Sequence, residues 1–87
     1  MKILSVNAGS SSLKFQLYEM PEEKVLISGV FERIGIEDSF YTIKLNGEKI
    51  KKEATLNNHA DAFKILVDEL ISNKVIAQAD EVKAVGH

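Results

Sequence analysis

An α/β fold is expected for this chain of 87 residues. Three observations lead to it. Apolar and polar residues alternate along Leu13 to Tyr18 and again along Tyr41 to Leu45, the period-two pattern of half-buried strands. Asn46-Gly47 follows the second run, a dipeptide suited to the two left-handed positions of a tight hairpin turn. Ala62, Phe63, Leu66, Val67, Leu70 and Ile71 then recur at helical spacing, which marks the core-facing stripe of an amphipathic helix.

The elements follow in order. Lys2 to Asn7 is read as a buried strand, with apolar residues pointing to both faces. Leu13 to Tyr18 places Leu13, Phe15 and Leu17 on one face and Lys14, Gln16 and Tyr18 on the other. Met20-Pro21-Glu22-Glu23 makes a turn, because proline cannot donate to a strand ladder. Lys24 to Arg33 is a third strand, in which Gly29 marks a bulge or a close backbone approach. Tyr41 to Leu45 and the polar run Glu48 to Ala54 form a small hairpin, the second strand lying near an edge. Asn57-Asn58 offers a helix N-cap, Asp61 suits the helix dipole, and the helix ends near Ser72-Asn73. Glu81 to Val85 is a last strand. The expected order is three antiparallel strands, a small hairpin, a helix and one further strand. The chain stops at the C-terminal end of that strand, where ligand-binding residues gather in α/β sheets. An N-terminal piece of a longer protein is therefore expected.

Composition narrows the function. A chain of this length supports one small domain or part of a larger one. Apolar residues make up 45% and charged residues 28%, and 11 basic side chains nearly balance 13 acidic ones. No long block of like charge appears, so neither nucleic acid nor a membrane surface is an expected partner. Lys49, Lys51 and Lys52 stand between Glu48 and Glu53 and read as a solvated strand face. The absence of cysteine excludes a disulfide framework, a cysteine metal site and a thiol nucleophile. It fits a reducing cytoplasm. The first apolar run is too short for a secretory leader, and no segment reaches the ~20 apolar residues of a membrane span.

Chemistry concentrates in Asn7-Ala8-Gly9-Ser10-Ser11-Ser12-Leu13-Lys14. Strand connections need only about two to five residues, and this one is longer and more polar. A Walker A loop requires a second glycine and a following helix. The dinucleotide fingerprint requires several glycines and a helix as well. Period two after Lys14 removes both and leaves a strand–loop–strand clasp. In it Asn7 offers a carbonyl oxygen to a metal or its water, and Gly9 permits positive φ at the bend. Ser10, Ser11 and Ser12 offer hydroxyl and backbone donors, and Lys14 adds a full charge. On spacing alone, a Gly/Ser-rich turn that binds nothing stays open beside this reading.

The run from Asn7 to Phe15 resembles the N-terminal signature of acetate kinases. So do Gly29-Val30-Phe31-Glu32-Arg33-Ile34-Gly35, the helix, and Ala84-Val85-Gly86-His87. Ala8 and the triple serine differ from the butyrate kinase form, whereas propionate kinases share it. The resemblance implies a ribonuclease-H-like, actin-like ATPase domain, of which residues 1–87 form the N-terminal part. It implies reversible, Mg²⁺-dependent phosphoryl transfer from ATP to acetate, giving acetyl phosphate and ADP, in a cytoplasmic homodimer. Asn7 would bind Mg²⁺, Lys14 would contact the ATP phosphates, and Gly9, Ser10 and Ser12 would support that network. The family's substrate-binding arginine, catalytic aspartate and distal metal ligand fall beyond His87, so no catalytic residue is assigned here. A non-catalytic nucleotide-binding module of the same superfold is the alternative from another functional class.

The remaining candidates read as structural. His59 is expected to cap the helix or lie exposed, since no second ligand stands near it in sequence. Glu32 and Arg33 form a surface pair at a strand end, and Tyr18 packs. Asp80 and Glu81 begin a strand in solvent. His87 would neighbour the carboxylate site.

Overall fold

A computed structural model describes residues 2–76 and the backbone of 82–86. The strands are β1 (Lys2–Ala8), β2 (Ser12–Glu19), β3 (Lys24–Glu32), β4 (Phe40–Leu45), β5 (Glu48–Glu53) and β6 (Val82–Gly86), with helix α1 (His59–Ser72) between β5 and β6. They form one six-stranded sheet in the order β5-β4-β3-β2-β1-β6. All neighbours are antiparallel except β1 and β6, which run parallel. The β4–β5 hairpin continues the sheet, with β5 at its edge. A parallel neighbour requires a crossover, and α1 lies within it.

Alternation decides the faces. Leu13, Phe15 and Leu17 of β2 are buried, as are Leu4 of β1, Ile27 and Phe31 of β3, and Tyr41 and Ile43 of β4. They join Ala62, Leu66 and Leu70 of α1 in one core. Only Leu4 of β1 is buried and Asn7 is exposed, so the expectation of a strand covered on both faces is corrected for the described residues. On α1 the buried stripe is Ala62, Leu66, Glu69 and Leu70, and Phe63 and Ile71 are exposed instead of core. β5 is exposed throughout, as its polar sequence and edge position require.

Two glycines explain local choices. At Gly29 a Cβ would lie 2.5 Å from Phe15 Cε1 and 2.7 Å from the Thr42 carbonyl oxygen. Gly29 pairs with Phe15 across the sheet, so the aromatic ring occupies the space a side chain would need. This is a close approach, while the bulge falls between Leu17 and Tyr18. Asn46 and Gly47 have φ of 54° and 81°, the left-handed pair of a type I′ hairpin.

Helix α1 is fastened at both ends. The Asn58 side chain accepts from the Asp61 N–H at 2.9 Å, and the Asp61 carboxylate accepts from the Asn57 N–H at 3.1 Å. At the far end, Glu69 accepts from Tyr41 Oη at 2.5 Å, Lys52 Nζ at 2.9 Å and Asn73 Nδ2 at 3.1 Å. Burial alone would raise the Glu69 carboxyl, but these hydrogen bonds and the Lys52 charge outweigh it and hold it below its ordinary value. Burial and the same carboxylate push the Tyr41 hydroxyl well above its ordinary value.

Candidate functional site

Strand register brings the two ends of the polar loop together. Asn7 lies directly opposite Lys14 in the β1–β2 ladder, a placement that puts Cβ atoms about 4.5–5.5 Å apart. Both residues are exposed, on the sheet face away from the core. They line an open depression of about 560 Å³, shared with Ser5, Gln16, Lys44 and Lys49. Three lysines and no carboxylate stand among its described lining residues, so its potential favours an anion.

The loop itself, Gly9 to Ser12, does not line the depression but joins the strands that do. The Gly9 N–H donates to the Ser12 carbonyl at 2.9 Å, and the Ile34 N–H donates to the Ser11 carbonyl at 2.9 Å. His59 Nε2 lies 2.7 Å from the Gly9 oxygen and 3.1 Å from the Ser12 oxygen. Ser10 is exposed and Ser12 half-buried. Gly9 was expected to take positive φ, yet the left-handed glycines among the described residues are Gly35 and Gly47. A Cβ at Gly9 would sit 2.6 Å from Ser12 Oγ, a hydroxyl that can rotate away.

Sequence reasoning put Asn7 and Lys14 at the two ends of one clasp, and the register sets them opposite each other, but it missed three neighbours. His59 is half-buried against the loop, and the cap belongs to Asn58. Contact over 50 positions in sequence leaves no local signal. Lys44 and Lys49 are opposite each other on β4 and β5, and carrying the alternation across the ladder would have put them on the Lys14 face. Lys52, from the same basic run, pairs with Glu69 instead. Arg33 donates from Nε to the Glu37 carbonyl at 2.9 Å rather than pairing with Glu32. Tyr18 donates to Gln16. Asp80, Glu81 and His87 lie outside the described residues.

The described residues gather no group of three or more His, Cys, Asp or Glu side chains. Asn7 offers one amide oxygen. Mg²⁺ keeps several waters and takes few protein oxygens when it arrives with a polyphosphate, so this donor set fits such an ion and not a closed protein cage.

Over residues 2–87 the sequence matches the Acetokinase family. The chain belongs to that family. It is 56% identical over 86 residues to an acetate kinase of Geobacillus sp. (strain WCH70) and 52% identical to one of Bacillus cytotoxicus, covering 99% of this chain in each case. The chain spans 22% of the length of these relatives. The crystal structure of Porphyromonas gingivalis acetate kinase superposes with a TM-score of 0.92 at 38% identity, covering 99% of this chain and 22% of that one. A propionate kinase from Francisella tularensis gives 0.76 at 34% identity, covering 84% of this chain and 19% of that one. The α/β architecture is therefore part of the actin-like ATPase fold. No helix among the described residues is long and apolar enough to cross a membrane.

Proposed function

We propose that this chain supplies the nucleotide-gripping hairpin of an acetate kinase, which moves the γ-phosphoryl group of ATP to acetate and back. The observation that carries the reading is the register pairing of Asn7 with Lys14 beside an acid-free, lysine-lined depression. Kinship with acetate kinases at about half identity supports it.

Phosphoryl transfer asks the protein for positioning and charge neutralisation more than for covalent chemistry. Lys14 places a positive charge where the phosphate oxygens accumulate negative charge. Ser10 and Ser12 offer hydroxyl donors, and Gly9 leaves the Ser12 hydroxyl free of a neighbouring Cβ. Asn7 would hold Mg²⁺ through its amide oxygen. The ion, when bound, neutralises charge on the bridging phosphates. Cytoplasmic location and a homodimeric state belong to the same reading.

The Francisella propionate kinase superposes as well, so propionate is the second acceptor to consider. Phosphoryl transfer by the full-length protein, measured with MgATP and with acetate or propionate in parallel, tests both. Acetate is expected to be used with the higher kcat/KM. A preference for propionate would reverse the substrate assignment, and MgATP binding with no transfer to either acid would leave a nucleotide-binding module.

A further inference from the structure

His59 opens α1, yet its side chain turns back to the loop between β1 and β2. Its Nε2 reaches the Gly9 carbonyl at 2.7 Å and the Ser12 carbonyl at 3.1 Å. Carbonyl oxygens only accept. Nε2 therefore carries a proton, shared between the two, and the neutral ring is the Nε2–H tautomer. The same Ser12 oxygen also accepts from the Gly9 N–H, and the Ser11 oxygen accepts from the Ile34 N–H. Three carbonyls of an anion-binding loop are thus occupied by donors of the protein. Carbonyl oxygens turned toward a phosphate would repel it, so holding them matters to affinity.

We propose that His59 is a positioning residue for the phosphate loop, fixing Gly9 and Ser12 from the first turn of α1 in the arrangement that receives the nucleotide's polyphosphate. The assignment rests on the kinase reading above and adds a residue that it does not contain. His59 touches no reacting atom; it acts through the loop.

Three variants of the full-length protein test it: His59→Leu removes the donor, His59→Gln restores an N–H at about the reach of Nε2, and His59→Asn carries one too short to reach. Loss of a hydrogen bond of this kind should raise the MgATP KM about tenfold in His59→Leu and His59→Asn, and leave the acetate KM and the melting temperature near wild type. His59→Gln should recover most of the MgATP affinity. The Gly9 amide should exchange faster with deuterium in His59→Leu than in wild type. If His59→Leu does not fold, the comparison of Asn with Gln decides. A wild-type MgATP KM in His59→Asn, or equal impairment of Gln and Asn, would overturn the assignment. A wild-type protein that does not bind MgATP would instead overturn the kinase reading, and the loop exchange measurement would then show separately whether His59 orders Gly9.

Discussion

Tyr41→Phe isolates one buried hydrogen bond. The Tyr41 ring stacks on Phe31 with centroids 4.8 Å apart and planes at 22°, and phenylalanine keeps that contact. Only the hydroxyl, 2.5 Å from Glu69 Oε2, is lost. Glu69 retains Lys52 at 2.9 Å and Asn73 at 3.1 Å, so the carboxylate acceptor is not left without a donor. A hydrogen bond to a charged group contributes about 1.5–3 kcal/mol. The Lys52 side chain is 47% exposed, which keeps the cluster partly hydrated and points to the lower part of that range, about 1.5–2 kcal/mol. The pH dependence supplies the signature. The folded Glu69 carboxyl titrates below its ordinary value of 4.5, so its stabilisation is present above that value and is lost as pH falls through the folded one. The Tyr41 hydroxyl is shifted the other way, upward from 10.0, so its stabilisation is present below that value and is lost as pH rises through the folded one. The stability gap between wild type and Tyr41→Phe should therefore be flat from about pH 5 to 9 and narrow as pH falls through the folded Glu69 value, below 4.5. Urea unfolding of the two full-length proteins at pH 7 and at a series of lower pH values measures it. A gap below about 0.5 kcal/mol at pH 7, or one that does not narrow as pH falls through the point at which Glu69 protonates in the folded protein, would refute a charged Glu69 acceptor.

Three further substitutions probe the site and its support. Lys14→Ala should lower kcat/KM for MgATP by about 10²–10³-fold, as loss of a donor aimed at developing charge does; steady-state kinetics at wild-type values would remove Lys14 from the phosphate site. Asn7→Ala should move the Mg²⁺ concentration for half-maximal activity up by about tenfold, the equivalent of one lost ligand contact; an unchanged Mg²⁺ titration would argue against metal contact. Gly29→Ala should destabilise by about 2–3 kcal/mol, because the new Cβ meets both Phe15 and the Thr42 backbone oxygen, and backbone yields less than a side chain; a wild-type urea midpoint would show that Phe15 moves aside freely.

The features legible in the sequence are those with a local cause. The period-two run after Lys14 identified β2, and with it the reason to set helix-based phosphate loops aside. Asn46-Gly47 marked its turn through the φ values the two residues tolerate. Asn58 and Asp61 marked the helix start by the bonds they exchange with backbone N–H groups. What escaped depends on partners distant in the chain. Phe63 and Ile71 belong to the apolar stripe by spacing, but the core contact turns on Ala62, Leu66 and Leu70. Glu69 looks like a solvent-facing acid until Tyr41 and Lys52 are brought to it by the pairing of β4 with β5. Lys49 and Lys52 look alike in one basic run, yet strand alternation sends the first to the depression and the second to the Glu69 side.

The segment from Gly29 to Gly35 supports the Gly9–Ser12 loop mechanically. Ile34 is buried at 5% exposure, and its N–H holds the Ser11 carbonyl. The next residue, Gly35, takes φ of 79°, and its N–H holds the Leu56 carbonyl at 2.7 Å. Leu56 is itself buried and donates to Ser39 Oγ, which fixes the approach to Asn58 and the start of α1. The turn after β3 therefore ties the Gly9–Ser12 loop to the segment that delivers His59. A side chain at Gly35 would strain the left-handed bend and loosen both attachments together. A loop of small residues gains close approach to a ligand at the cost of stiffness. Here the stiffness comes from outside the loop, through one backbone N–H just after β3 and one imidazole of α1. Under the proposed kinase reading, binding energy that would otherwise go into ordering Gly9 to Ser12 is then left for the nucleotide.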